Sequence, residues 1–411
     1  MAPASASLLE LNGRLRSGEV KARDVVRSAA ASLRTLAAPE GPVRHVFERE
    51  AMQAAGAVER ELKRGRTRGI LQGAPFGVSE LLQTAGRAPF WNPAIPPVQA
   101  EDAAAVSRLR GARAIPLAVL ASPALGGVAQ GFAASEAACA ALVSRGLLPF
   151  AVSLDFNGNV LRAALQQGCW ALRPSFGLIS GFGAAPLSWT LASVSVLART
   201  PEDCGHAAAA MSGNDSRCPH SPGRAFRFAP EYARPPRELA VLGAGCPPSV
   251  RQAFQAAGAA WSDAPVPGED PMDILEVVLA AEAGEAMQDE LAESAQGREC
   301  LAQAQEIGAM DYLRAMRLRR ALQAWFYETL AGADAVVIPA DLQEITGFSP
   351  GGGALGWFVT ALLAGAPVIA CGAGREQGLP AFCIGGRTGS ENTLLRLAAA
   401  VRGKPLENSG D

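Results

Sequence analysis

Apolar positions along the chain recur with two periods. Leu8, Leu9, Leu11 and Leu15, then Val25, Val26, Leu33 and Leu36, keep the three- and four-residue spacing of amphipathic helices over residues 5–36. Ser17-Gly18 interrupts that spacing and predicts two helices joined by a turn. A further helix is predicted over 47–64, one of small residues over 133–143, and a mostly helical stretch over 269–331. Short apolar runs bounded by glycine or polar residues predict strands at 74–78, 114–120, 150–154, 191–198, 238–242, 335–338 and 367–370. Helices alternating with short buried strands predict an α/β layered fold. No linker divides the chain, so residues 1–411 are expected to form a single domain. Residues 212–236, rich in proline around Gly213-Asn214-Asp215, read as a long surface connection, and 404–411 as a frayed polar tail.

Charge narrows the classes. With 37 Lys+Arg against 39 Asp+Glu, the net charge of −2 gives no footprint for nucleic acid or an anionic membrane. No apolar run reaches the ~20 residues of a spanning helix. Residues 1–15 lack a basic segment followed by an apolar run, so the expected location is the cytoplasm. The eight cysteines form no CxxC and have no histidine at ligand spacing, so buried reduced thiols are expected, with no metal and no cofactor. Gly351-x-Gly353-x-x-Gly356 follows a loop-like Thr346-Gly347-Phe348-Ser349-Pro350 rather than a strand, which argues against a phosphate-binding role. The basic run 60–68 and the group Arg314, Arg317, Arg319 and Arg320 read as solvated or salt-bridged helix faces. Only three lysines (Lys21, Lys63, Lys404) and three histidines (His45, His206, His220) are present, which leaves few proton acceptors near neutral pH.

Four ordered stretches resemble the amidase signature family, the Ser–cisSer–Lys amide hydrolases that include the A subunits of amidotransferases. They are Gly73-Ala74-Pro75-Phe76-Gly77-Val78-Ser79-Glu80-Leu81, then Asp102-Ala103-Ala104-Ala105-Val106-Ser107-Arg108-Leu109-Arg110. The third runs over 133–200 and includes Asp155 and Arg173-Pro174. The last holds Ala364-Gly365-Ala366-Pro367-Val368, Gly378-Leu379-Pro380 and Glu391-Asn392-Thr393. The resemblance implies a single α/β/α domain with a mixed central sheet flanked by helices.

It also implies where chemistry should sit. The family's lysine base falls at Ser79, its cis-peptide serine at Ser135, and its nucleophilic serine at Asn159. The backbone that forms the family's oxyanion hole falls at Phe156, Asn157 and Gly158. Its Gly/Ser-rich loop reads Ala133-Ala134-Ser135-Glu136-Ala137-Ala138-Cys139, where each added Cβ narrows the backbone's freedom. A serine nucleophile without its base relay is not activated. The expectation is therefore an amidase homologue without amide hydrolysis, retained to bind a small amide or carboxylate ligand or to serve a protein partner. The family precedent adds a homodimer. The alternative is altered C–N hydrolase or acyltransferase chemistry at Ser135 or Cys139.

Overall fold

The computed structural model describes residues 6–38, 41–89, 91, 100–122, 136–221, 223, 225–267, 271–293, 295–340, 353–372 and 379–403. The first two helices form where the spacing places them. α1 (Leu8–Ser17) begins with a capping box in which Ser7 and Glu10 satisfy each other's backbone N–H. It ends at Gly18, whose φ of 79° only glycine adopts freely. α2 (Ala22–Arg34) and α3 (Glu48–Lys63) then pack on each other through their apolar faces.

Among the described residues the strands form one eleven-stranded sheet, in the order β1-β3-β2-β4-β6-β5-β10-β11-β9-β7-β8. At one side β2 (Pro75–Ser79) runs parallel to both β3 (Ile115–Leu120) and β4 (Phe150–Asp155). At the other, β7 (Ala240–Gly243) runs parallel to β8 (Ala260–Asp263) and β9 (Ala335–Pro339). Antiparallel pairings join the two blocks through β6 (Ser193–Ala198), β5 (Trp170–Arg173), β10 (Val368–Cys371) and β11 (Phe382–Gly386). Five reversals separate β4 from β9, an odd number, so the carboxyl ends of the two parallel blocks lie at opposite ends of the sheet. β2, β3 and β4 are buried along their whole length, which is why they read as continuous apolar runs rather than alternating ones. Helices flank this mixed sheet, as the resemblance implies.

The predicted strands are present, with ends moved by one or two residues. Residue 238 closes a 3-10 turn (Pro236–Glu238), so that strand starts at Ala240. Four strands escaped the sequence reading: β1 (Val43–Val46), β5, β8 and β11. β8 is a sheet edge of sequence AWSD with no buried residue, so it carries no apolar signal. The small-residue helix is Ala137–Ser144 (α5), while 133–135 and the tail 404–411 lie outside the described residues. Residues 212–236 carry one further 3-10 turn, Pro230–Tyr232.

The basic run 60–68 is largely exposed, as expected. The second arginine group divides. Arg314, Arg317 and Arg320 are exposed on α12 (Ala309–Thr329), whereas Arg319 is buried. Its guanidinium donates to Leu363 O (2.8 Å), Thr190 Oγ1 (2.8 Å) and Thr190 O (2.9 Å). Burial holds its pKa below the usual arginine value. Glu282, on α9 (Pro271–Ala286), completes the network by accepting from Ser188, Thr190 and Tyr312. Arg319→Met should therefore cost on the order of 3 kcal/mol by stranding buried acceptors. Arg317→Met should stay within about 0.5 kcal/mol of wild type. Urea unfolding followed by circular dichroism compares the two.

Candidate functional site

The carboxyl ends of β2 and β4 bring two of the three degenerate positions together. Ser79 ends β2 fully buried, with Oγ accepting from Leu81 N–H at 3.3 Å. Asn159 begins α6 (Asn159–Gln167), after Gly158 turns the chain at φ 81°. A Cβ at Gly158 would stand 2.6 Å from the Phe358 ring, so this position needs glycine for both conformation and space. Ser135 lies outside the described residues.

The turn from β4 into α6 is held by Asp155. Its carboxylate accepts from the N–H groups of Gly158 (2.9 Å), Val160 (3.1 Å) and Leu161 (3.4 Å), at the helix end where negative charge is favoured. Arg173 Nε lies 3.2 Å from the same carboxylate, with both side chains buried. Burial raises the Asp155 pKa, while Arg173 and the three amides oppose it.

The backbone that the resemblance equates with the oxyanion hole makes its hydrogen bonds internally. The Asn159 side chain accepts from Phe156 N–H (3.0 Å) and donates to Leu154 O (3.0 Å). Gly158 N–H is taken by Asp155, and Asn157 Oδ1 accepts from Asn159 N–H at 3.1 Å. Arg162, buried and pushed down to about 9 by desolvation, donates to the same Asn157 oxygen at 3.3 Å. An oxyanion hole works through donors left free and aimed at the reacting oxygen. Here the Phe156 and Gly158 donors are spent within the turn, and Phe156 itself is buried beside them.

Glu136 is the site residue that sequence reasoning passed over. It precedes α5, and its N–H donates to Asn159 O at 3.4 Å, which ties the two loops together. Its buried carboxyl accepts from Ser122 Oγ (2.5 Å) and from Cys139 Sγ (3.6 Å). The hydroxyls of Ser79 and Ser153 also lie against it and favour its charged form. Ser153 Oγ completes no hydrogen bond of good geometry among the described residues. No cation pairs with Glu136 among the described residues, and burial lifts its pKa to about 7 against the help of these hydroxyls. A lone acidic residue within a run of alanines was the available signal.

Cys139 does not have the character of a nucleophile. It is buried, and burial followed by the neighbouring Glu136 charge drives its pKa well above the usual thiol value. Reactive thiols need the opposite surroundings. None of the eight cysteines is in a disulfide, and six of them are buried.

Known proteins share both this sequence pattern and this fold. The family model for amidase matches residues 134–264. The A subunit of glutamyl-tRNA(Gln) amidotransferase from Rhodopirellula baltica is 28% identical over 236 residues, covering 51% of this chain and 46% of the relative. AtzE, the 1-carboxybiuret hydrolase subunit of a Pseudomonas species, is 28% identical over 228 residues, covering 49% of this chain and 48% of that one. The chain thus spans about half the length of the curated relatives it matches. Among solved structures, the native peptide amidase of Stenotrophomonas maltophilia superposes with a TM-score of 0.80 at 22% identity, covering 97% of this chain and 96% of that one. A structure described as a vestigial protein complex, bearing on the origins of an s-triazine catabolic enzyme, gives 0.81 at 22% identity, covering 97% and 98%. Over residues 134–264 the chain is similar to the amidase family, and it shares the fold of solved amidases along nearly its whole described length. No helix among the described residues is long and apolar enough to cross a membrane.

The buried Glu136 carboxyl gives a signed pH effect. Its folded pKa of about 7 exceeds the ordinary 4.5, so the folded chain holds this proton more tightly than the unfolded chain does. That contribution is fully present below pH 4.5 and is lost as pH rises through about 7. Glu136→Gln should match wild type in stability at pH 4 and exceed it by roughly 3 kcal/mol at pH 8. Urea midpoints across this range test it, and a constant difference between the two proteins would contradict the assignment.

Proposed function

We propose that this chain is an amidase-signature homologue that has lost amide hydrolysis and serves as a non-catalytic partner or scaffold for another protein. The observation that carries the reading is Asn159. It stands where the resemblance places the nucleophile, and its side chain closes on Phe156 N–H and Leu154 O. Ser79 in place of the lysine base supports the same reading, since a serine hydroxyl does not supply the proton relay that an unprotonated lysine gives.

Between a small ligand at this site and a protein partner, the partner reading has more support. Ser79, Phe156 and Asn159 are all buried against their neighbours. The names of the two curated relatives describe subunits, and one structural neighbour is described as a protein complex. The exposed, large apolar side chains Trp189, Met310 and Leu313 suit a surface that contacts another chain.

Loss of nucleophile or base in a hydrolytic triad lowers the rate by on the order of 10⁶. The purified chain is therefore expected to release no ammonia above buffer from glutamine, aliphatic amides, aryl amides or peptide C-terminal amides. A fluorophosphonate or iodoacetamide probe should leave Ser135 and Cys139 unlabelled in peptide mass mapping. Turnover of any of these amides, or an adduct lost in Ser135→Ala or Cys139→Ala, would replace this reading with altered acyl-transfer chemistry.

A further inference from the structure

The second parallel block opens away from the degenerate site. β7, β8 and β9 end at a cavity of about 600 Å³, bounded also by the start of α13 (Gly353–Leu363) and by Pro380-Ala381. In open α/β sheets the crevice outside the carboxyl ends of parallel strands is where ligands collect. The volume falls inside the ~300–1,000 Å³ of small-molecule sites. Five strand spacings separate β4 from β9 along the sheet, while α13 joins the two places, with Trp357 lining the cavity and Phe358 packed beside Gly158.

Its walls define what can enter. They are built from alanine, glycine, valine, tryptophan and four prolines (Pro247, Pro265, Pro339 and Pro380), with no charged side chain among the described residues. Proline has no N–H and a fixed φ, so these walls are stiff and poor in donors. The one polar side-chain atom among them, Trp357 Nε1, is already committed to Pro265 O at 2.7 Å. The Trp357 ring also packs against Trp325, with centroids 4.8 Å apart. Val266 stands at the rim, 72% exposed. Gly353 and Gly356 belong to the glycine motif that the sequence left without a role. A Cβ at Gly356 would meet Pro267 at 3.4 Å and one at Gly353 would meet Val266 at 3.6 Å, both ordinary contacts, so neither position requires glycine.

We propose that this cavity binds a neutral, predominantly apolar small molecule. A charged ligand would surrender its hydration there with no counter-charge among the described lining residues. An apolar one loses only unfavourable contact with water, and the preformed walls need no reordering to receive it. None of Ser79, Phe156 and Asn159 lines the cavity, so binding there does not depend on whether amide hydrolysis has been lost.

The uncharged fluorophore N-phenyl-1-naphthylamine serves as the probe. Titrated into the intact chain, it should show saturable emission, excited in part by transfer from tryptophan, with one site per chain. Ala354→Trp, which fills the cavity, should weaken binding at least about tenfold, equivalent to about 1.4 kcal/mol. Should Ala354→Trp fail to fold by circular dichroism, Val266→Arg decides instead. It alters only an exposed rim and should weaken the probe several-fold by placing a cation at the mouth. Absence of saturable binding, or unchanged affinity in the folded variants, would overturn the proposal.

Discussion

The buried ion pair between Asp155 and Arg173 is the constraint on which this end of the molecule depends. Asp155 fixes the turn from β4 into α6 through three backbone amides, and Arg173 carries that anchor to β5. Arg173 also donates to Leu191 O at 2.5 Å and Leu362 O at 3.5 Å, so it links the approach to β6 with the end of α13. Burial opposes the charged form of both partners, and each is held charged chiefly by the other. Removing either alone would strand a charge in the interior, at a cost of roughly 3–5 kcal/mol. Such a pair serves the architecture, whatever chemistry is or is not done beside it.

That distinction explains the pattern of retention and loss. Asp155, Arg173 and Gly158 hold backbone in place, and all three agree with the family resemblance. Ser79 and Asn159 occupy positions that the resemblance assigns to chemistry, and both now satisfy backbone groups instead. Glu136 completes the exchange. A loop that the resemblance gives as glycine and serine now presents a carboxyl, and hydroxyls and a thiol surround it where the family would place a lysine amine.

Most of the scaffold was legible in the sequence because buried strands and amphipathic helices leave apolar runs of characteristic length. Two of the four strands that were not legible lack such runs, while β5 and β11 are short and buried throughout. β1 is VRHV, with only Val43 fully buried, and β8 exposes all but the partly covered Trp261. The three degenerate positions came from resemblance alone. What resemblance could not supply was direction: that the Asn159 amide turns back on Phe156 N–H depends on its rotamer. Arg319 shows the same limit, since nothing in its sequence neighbourhood separates it from the exposed Arg317 and Arg320. Only the packing of α12 against the segment at Thr190 does so.

The buried carboxyls also govern how the chain exchanges protons with its solvent. Glu136 and Asp203 both hold protons in the folded state to about pH 7, against ordinary values of 4.5 and 3.8. His206 works in the other direction, since burial lowers its pKa from 6.5 to about 4. Between pH 6.5 and 7 the carboxyl contribution prevails, and unfolding ejects protons into the buffer. A calorimeter would therefore record an unfolding heat that contains the buffer's own heat of ionisation. Phosphate and an amine buffer would give different apparent enthalpies for the same conformational change.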